Sequence, residues 1–308
     1  MQSKIVILGS GGTIAGTAAS AGDNVGYRAA QIGVAQLVAA VPGLQGPAIE
    51  CEQVAQIDSK DLSFADWQRL AEAVARHIAR ADMSGVVITH GTDTLEESAY
   101  FLHRVLAPAK PVVLTAAMRP ATSALSDGPQ NLLDAVAVVR DGRITGVSVA
   151  VAGRVWAGSE VRKVHTYRLD AFDAGDAGPL AVIEEGRVRV FRTQVASAPA
   201  LGLACIARDA AAWPRVEIVL NHAGADGRIV DALVTSGVHG IVVAGTGNGT
   251  LHVNLHAALQ RAQAQGIRVL RTSRCAGGAV IGEPADALPS AGALSAVQAR
   301  IELMLSLL

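Results

Sequence analysis

Gly85-Val-Val-Ile-Thr-His-Gly-Thr-Asp-Thr-Leu-Glu-Glu-Ser98 passes from an uninterrupted apolar run into hydroxyls and a carboxylate within a few residues. Val86 to Ile88 form the β-branched run expected of a strand buried on both faces of a parallel sheet. Gly91 permits a tight turn, and Thr92, Asp93 and Thr94 fall where a helix opens into Leu95 to Leu102. Amide N–H groups and the positive dipole end at such a turn favour an anion, and open parallel sheets bind their ligands at this carboxyl edge. Taken alone, Asp93 or Thr94 reads better as a simple helix cap.

The same pattern recurs on either side. Lys4 to Leu8 reads as a strand followed by the glycine-rich turn Gly9 to Gly16, and Thr17 to Arg28 as a small, polar lid holding one aromatic residue, Tyr27. Gln31 to Val41 and Phe64 to Arg80 have helical spacing. Ile49 to Ile57 is the next strand and ends in Asp58-Ser-Lys-Asp61. Pro111 to Met118 is apolar and leads to Arg119-Pro120, Asn131 to Arg140 is a helix, and Gly146 to Ala152 a strand. Trp156 to Tyr167, which carries Lys163, reads as irregular and polar. Strands alternating with helices predict right-handed βαβ units. Val216 to Leu220, Gly240 to Ala244 and Ile267 to Leu270 predict a second, smaller parallel sheet.

The fold class is therefore α/β with two domains: a larger mixed or parallel sheet flanked by helices over 1–192, a linker rich in Ala, Ser and Pro over 193–213, and a smaller parallel domain over 214–308. The 308 residues suit two domains at about 150 residues each.

With 26 basic against 27 acidic residues and no basic block, neither nucleic acid nor an anionic membrane is indicated as a partner. Cys51, Cys205 and Cys275 are odd in number and widely spaced, so neither a disulfide framework nor a zinc site is expected. No apolar run approaches the ~18 residues of a spanning helix, and the N-terminal run is too short for a signal-peptide core. A cytoplasmic protein is expected, although a processed periplasmic chain would look the same.

Two phosphate-binding motifs fail at the first turn. A dinucleotide fingerprint needs glycine where Ile14 stands, and a phosphate loop needs lysine where Thr17 follows Gly16. His252 and His256 have metal-ligand spacing, but Val253 replaces the glutamate of the zinc-protease motif. No metal or organic cofactor is expected. What remains is a hydroxyl, Thr13, held among small residues.

Together these pieces resemble the bacterial L-asparaginases, including the glutaminase-asparaginases. Gly11-Gly-Thr13-Ile-Ala-Gly16 looks like the first signature of that family, with Ser10 where Thr is usual, and His90-Gly-Thr-Asp-Thr-Leu95 looks like the second. Ala116 to Pro120, Ser126 to Pro129, Gly247-Asn-Gly249 and Gly292 to Arg300 are similar as well. The resemblance implies Thr13 as nucleophile, Tyr27 as its proton-transfer partner, and Thr92, Asp93 and Lys163 as a second hydroxyl, carboxylate and base. It implies Ser59 and Asp93 as holders of the substrate's carboxylate and ammonium, and Ala117 as a backbone acceptor near the leaving amide. A neighbouring subunit would supply Asn248 and Glu283, in a homotetramer built as a dimer of dimers. Lys60 stands where the family usually has Gln.

The chemistry is coherent without the name. Covalent amide hydrolysis needs a nucleophile, a proton acceptor, an oxyanion hole and an acid for the departing ammonia; the turn amides at 91–93 are candidates for the hole. The expected activity is hydrolysis of L-Asn to L-Asp and ammonia. The alternatives are a broader activity that includes L-Gln, the amidase subunit of a tRNA-dependent amidotransferase, and a non-catalytic amino-acid-binding protein. The amidotransferase subunit carries an extra N-terminal domain, whereas the first strand here begins at Lys4; mere binding would not need Thr13, Tyr27, Thr92 and Lys163 together.

Overall fold

The computed structural model describes residues 3–46, 48–194, 199–282 and 288–308. The chain divides into two compact units, Met1–Ala204 and Cys205–Leu308.

The first unit opens with alternating elements: β1 (Lys4–Gly11), α1 (Val34–Ala39), β2 (Ile49–Ile57), α2 (Phe64–Ile78), β3 (Met83–Thr89), α3 (Leu95–Leu106), β4 (Pro111–Thr115), α4 (Gly128–Asp141) and β5 (Gly146–Val151). Their strands pair in parallel in the order β5-β4-β3-β1-β2. The apolar runs explain this directly. Ile7, Leu8, Val86, Val87, Ile88, Val112, Val113 and Leu114 are all fully buried, as strands covered by helices on both faces require. Each such side chain contributes about 1.5–3 kcal/mol through burial.

The helices carry their own start and stop signals. Ser63 and Asp66 form a capping box at the start of α2, and α4 has a proline in its first turn and ends at Gly142, whose φ of 73° is left-handed. The expected helix over Gln31–Val41 is shorter, Val34–Ala39. Gly33 is extended, and the Val34 amide is held by the Gln53 side chain at 2.7 Å, so the helix starts late.

The rest of the sheet was not foreseen from the sequence. Beyond β5 the chain adds β6 (Arg154–Ala157), β7 (Arg162–Lys163), β8 (Phe172–Asp173), β9 (Ala181–Glu184) and β10 (Arg187–Val190). Strands β6, β9 and β10 join antiparallel, completing an eight-stranded mixed sheet of order β10-β9-β6-β5-β4-β3-β1-β2. The stretch expected to be irregular, Trp156 to Tyr167, thus holds the end of β6 and all of β7, which pairs with β8 through Lys163 and Phe172.

The second unit contains β11 (Val216–Leu220), α5 (Arg228–Thr235), β12 (Gly240–Gly245), α6 (Val253–Ala264), β13 (Arg268–Ser273) and α7 (Ala296–Ser306). Its three strands are parallel, with β12 central. Val230, Ile241, Val243, Leu255 and Leu259 form its buried core. The whole is a two-unit α/β fold, a larger mixed sheet and a smaller parallel one.

Candidate active site

The chain runs from β1 outward to β2, then crosses back over β1 to β3 and continues away through β4 and β5. The loops after β1 and β3 therefore leave in opposite directions, opening the crevice at which open α/β sheets bind ligands. Thr13 follows β1; Thr92 and Asp93 follow β3.

Glycine lets these two loops touch. Gly12 has φ +81°, and a Cβ there would fall 2.3 Å from the Gly91 Cα; a Cβ on Gly91 would fall 2.4 Å from the Ser59 hydroxyl oxygen. Three turns, after β1, β2 and β3, thus meet at a spot with no room for a side chain. Thr94 ties two of them together by donating its hydroxyl to the Ser59 carbonyl at 2.9 Å. This overturns the simple capping alternative: Thr94 occupies the N-cap position of α3 without a side-chain cap hydrogen bond, and the Asp93 side chain is engaged elsewhere.

Thr13 sits in a buried 3₁₀ turn with its hydroxyl oxygen 2.7 Å from that of Tyr27. The Tyr27 ring packs against Gly16, where a Cβ would come within 3.0 Å of it. Paired backbone bonds between Thr17 and Arg28 pinch the neck of the 17–28 segment. Its body is fastened to the loop after β4 by Ser123 donating to Asn24 at 2.7 Å and the Ala18 amide donating to Thr122 at 2.8 Å.

Lys163 approaches from β7. Its Nζ donates to the Thr92 hydroxyl at 2.9 Å and to Asp93 Oδ1 at 2.6 Å. The Lys163 side chain is only 17% exposed and that of Asp93 54%, so the lysine is no solvated surface charge, while the carboxylate keeps an open side. The β7–β8 pair also brings the Lys163 amide to Glu96 Oε1 at 3.4 Å. Glu96 lies in the first turn of α3, where burial pushes its carboxyl up to about 7. Nothing in the sequence marks Glu96, because its setting depends on a strand far away in the chain.

Ala117, after β4, is buried against Ile14 and Ala15. Its loop is anchored by a carboxylate and an amide that had no expected role. Asp127 accepts from the amides of Met118 at 3.0 Å and Arg119 at 2.9 Å, and Asn131 donates to the Ala116 carbonyl at 2.9 Å. The spacing Asp127-Gly-Pro-Gln-Asn131 was the available signal. Ser10, noted as a departure from the family pattern, is buried and donates to the Thr89 carbonyl at 2.9 Å, stitching β1 to β3. Lys60 turns to the acids of its own turn, at 2.5 Å from Asp58 and 3.2 Å from Asp61.

Thr13, Tyr27, Ser59, Thr92, Asp93, Ala117 and Lys163 all belong to the first unit, Lys163 on β7 and the others on the segments that follow β1 to β4. Asn248 belongs to the second, in the turn after β12, where its carboxamide donates to the Ile281 carbonyl at 2.7 Å and accepts from the Ile281 amide at 2.8 Å. Glu283 lies outside the described residues. Among the described residues no group of three or more His, Cys, Asp or Glu is placed to hold a metal ion.

Comparison with known proteins agrees over both units. The asparaginase N-terminal family matches residues 4–196 and the glutaminase/asparaginase C-terminal domain matches 215–308. Glutaminase-asparaginase of Pseudomonas fluorescens biotype A is 38% identical over 282 residues, 90% of this chain and 77% of that protein. L-asparaginase 2 of Escherichia coli strain K12 is 38% identical over 312 residues, 99% of this chain and 88% of that one. The crystal structure of a probable cytoplasmic L-asparaginase from Campylobacter jejuni superposes with a TM-score of 0.92 at 38% identity, covering 99% of this chain and 95% of that chain. Over nearly its whole length, the chain belongs to the asparaginase family of amidohydrolases.

Proposed function

We propose that the protein is an L-asparaginase that works through a threonyl ester. The observation that carries this reading is the presence of two paired hydroxyls at neighbouring strand ends, Thr13 with Tyr27 at 2.7 Å and Thr92 with Lys163 at 2.9 Å. Covalent amide hydrolysis has two steps, attack by the nucleophile and attack by water, and one proton-relaying pair is at hand for each.

In the first step Thr13 Oγ1 attacks the side-chain carboxamide carbon. Its proton passes through the Tyr27 hydroxyl to the amide nitrogen, the C–N bond breaks, and ammonia leaves an aspartyl ester on Thr13. The negative charge on the former carbonyl oxygen is met by turn amides at 91–93. In the second step water adds to the ester with Thr92 and Lys163 relaying its proton; the ester C–O bond breaks, the proton returns to Thr13 Oγ1, and L-aspartate departs. Asp93 keeps its Oδ2 free of partners among the described residues, so it can face the substrate ammonium while Oδ1 holds Lys163. The buried Ser59 lies beside Gly91 and takes the substrate carboxylate.

A broader activity that includes L-Gln is the second reading, favoured by the names of the Pseudomonas relatives. Both compartments occur among relatives, one called periplasmic and another cytoplasmic, and no described helix is long and apolar enough to cross a membrane. The functional unit is proposed as a homo-oligomer in which a neighbouring subunit contributes Asn248. Steady-state ammonia release from L-Asn, L-Gln and D-Asn tests the reading: turnover of L-Asn well above the other two supports it, comparable turnover of L-Gln moves it to the broader activity, and no release from any overturns it.

A further inference from the structure

Beneath the 91–93 turn lies a fully buried chain of polar groups that the two-step chemistry does not use. The Trp67 indole N–H donates to Ser98 Oγ at 2.8 Å, Ser98 Oγ lies 2.9 Å from His90 Nε2, and His90 Nδ1 lies 2.7 Å from the Gly91 carbonyl oxygen. Ser98 and His90 have no exposed surface and Trp67 almost none. The residues come from two helices and the end of β3: Trp67 on α2, Ser98 on α3, and His90 just past the strand.

Every proton in this chain is placed by elimination. A carbonyl only accepts, so His90 Nδ1 must carry hydrogen. Full burial keeps the ring neutral, and an indole N–H only donates, so Ser98 accepts from Trp67 and gives its own hydrogen to His90 Nε2. The imidazole is held in one neutral tautomer, and burial pushes its basicity down in the same sense.

The consequence falls on the next peptide. The unit joining Gly91 to Thr92 is planar and trans, so its C=O and N–H point in opposite directions. A grip on the Gly91 carbonyl from the buried side therefore sets the direction of the Thr92 N–H. We propose that Trp67, Ser98 and His90 are positioning residues that aim the Thr92 amide at the oxyanion formed in each step. This rests on the amidohydrolase reading above, in which the turn amides supply the oxyanion hole.

The test compares two substitutions of one ring. Asn at position 90 carries an N–H close to where Nδ1–H sits, whereas Gln reaches the Nε2 position and leaves the Gly91 carbonyl without its donor. His90→Gln should lose at least about tenfold in kcat with KM little changed, the split expected when a transition-state contact is misaimed, and His90→Asn should recover much of that loss. Thermal melting of each variant separates folding from catalysis, since a purely structural histidine would lower both melting temperatures and leave kcat per folded molecule alike. Equal kcat in the two variants would overturn the relay. Should neither fold, long-range ¹H–¹⁵N spectra of the wild-type imidazole decide: a neutral Nδ1–H tautomer persisting as pH is lowered supports the relay, and an Nε2–H tautomer overturns it. A wild-type protein that releases no ammonia from any amide would instead bring down the amidohydrolase reading, and the relay's role with it.

Discussion

The hydroxyls of Thr13 and Tyr27 lie 2.7 Å apart although 14 residues and a pinched loop separate them in the chain. The loop is fastened at its neck by the Thr17–Arg28 bonds and at its body by Thr122 and Ser123, so the tyrosine is delivered to the threonine by backbone and hydroxyl contacts and not by an apolar core. Thr13→Ala should lower kcat at least about a thousandfold, as loss of a nucleophile does, and leave L-Asp binding measurable by calorimetry. Tyr27→Phe, which removes only the proton path, should cost about 10²–10⁴ in kcat. A Thr13→Ala protein with near-normal ammonia release would make the nucleophile assignment wrong.

Lys163→Met should lower kcat by about 10²–10⁴ with a far smaller change in KM. Its effect on stability should stay within about 1 kcal/mol, because the abandoned partner Asp93 is 54% exposed and water can take over its solvation. Steady-state kinetics beside urea melts check both halves. Kinetics like those of the wild type would return Lys163 to a structural ion pair.

Glu96 predicts a pH dependence of stability. Its carboxyl rises from 4.5 to about 7 on folding, chiefly through burial, with Glu97 opposing ionisation and Arg162 and Lys163 favouring it. A raised acid binds its proton more tightly in the folded chain, so the stability it contributes is complete below pH 4.5 and is lost as pH rises through about 7. Glu96→Gln removes this loss, and at pH 8 it should be more stable than the wild type by about 3 kcal/mol, since each pH unit between the folded and unfolded values is worth ~1.4 kcal/mol. The difference between the two proteins should shrink towards pH 5. A variant less stable than the wild type at pH 8 would show that the carboxylate's bond to the Lys163 amide outweighs its burial.

The parallel half of the large sheet was legible because each of its strands is a short β-branched run ending in polar residues, and Val86–Ile88 into Thr92 and Asp93 is the clearest case. The β9–β10 hairpin was missed although its residues alternate. Its turn, Glu185-Gly186, takes φ 50° and 70°, the left-handed pair that closes a two-residue hairpin, but Glu is an uncommon first residue there. Thr13, Ser59, Thr92 and Asp93 stood out as candidates because each lies in a polar turn after a strand, and the roles proposed for them came from the family resemblance. Trp67, Ser98 and Glu96 were not legible, since on a helix the period reports only that a position is buried, and a polar partner from another element leaves no local mark. Lys163 shows the same limit from the other side: its place beside Thr92 depends on β8 pairing with β7, two short strands with no pattern of their own.

The shared-site proposal predicts complementation. Thr13→Ala and Asn248→Ala chains, each weak or inactive alone, should regain ammonia release when unfolded, mixed and refolded together, because a mixed oligomer can join an intact Thr13 of one chain to an intact Asn248 of the other. The Asn248 carboxamide spends one donor and one acceptor on Ile281, which leaves one of its N–H groups and further acceptor capacity for a substrate. Verified mixed oligomers no more active than the two parents would contradict the proposal.

The threonyl ester can be trapped. The wild-type protein is mixed with excess L-Asn, quenched in acid within the first turnovers, digested and read by peptide mass. A fraction of the peptide bearing Thr13 should be heavier by one ester-linked aspartyl group, an increment absent from Thr13→Ala. An aspartyl group on Thr92 instead, or a burst of ammonia with Thr13 unmodified throughout, would contradict it.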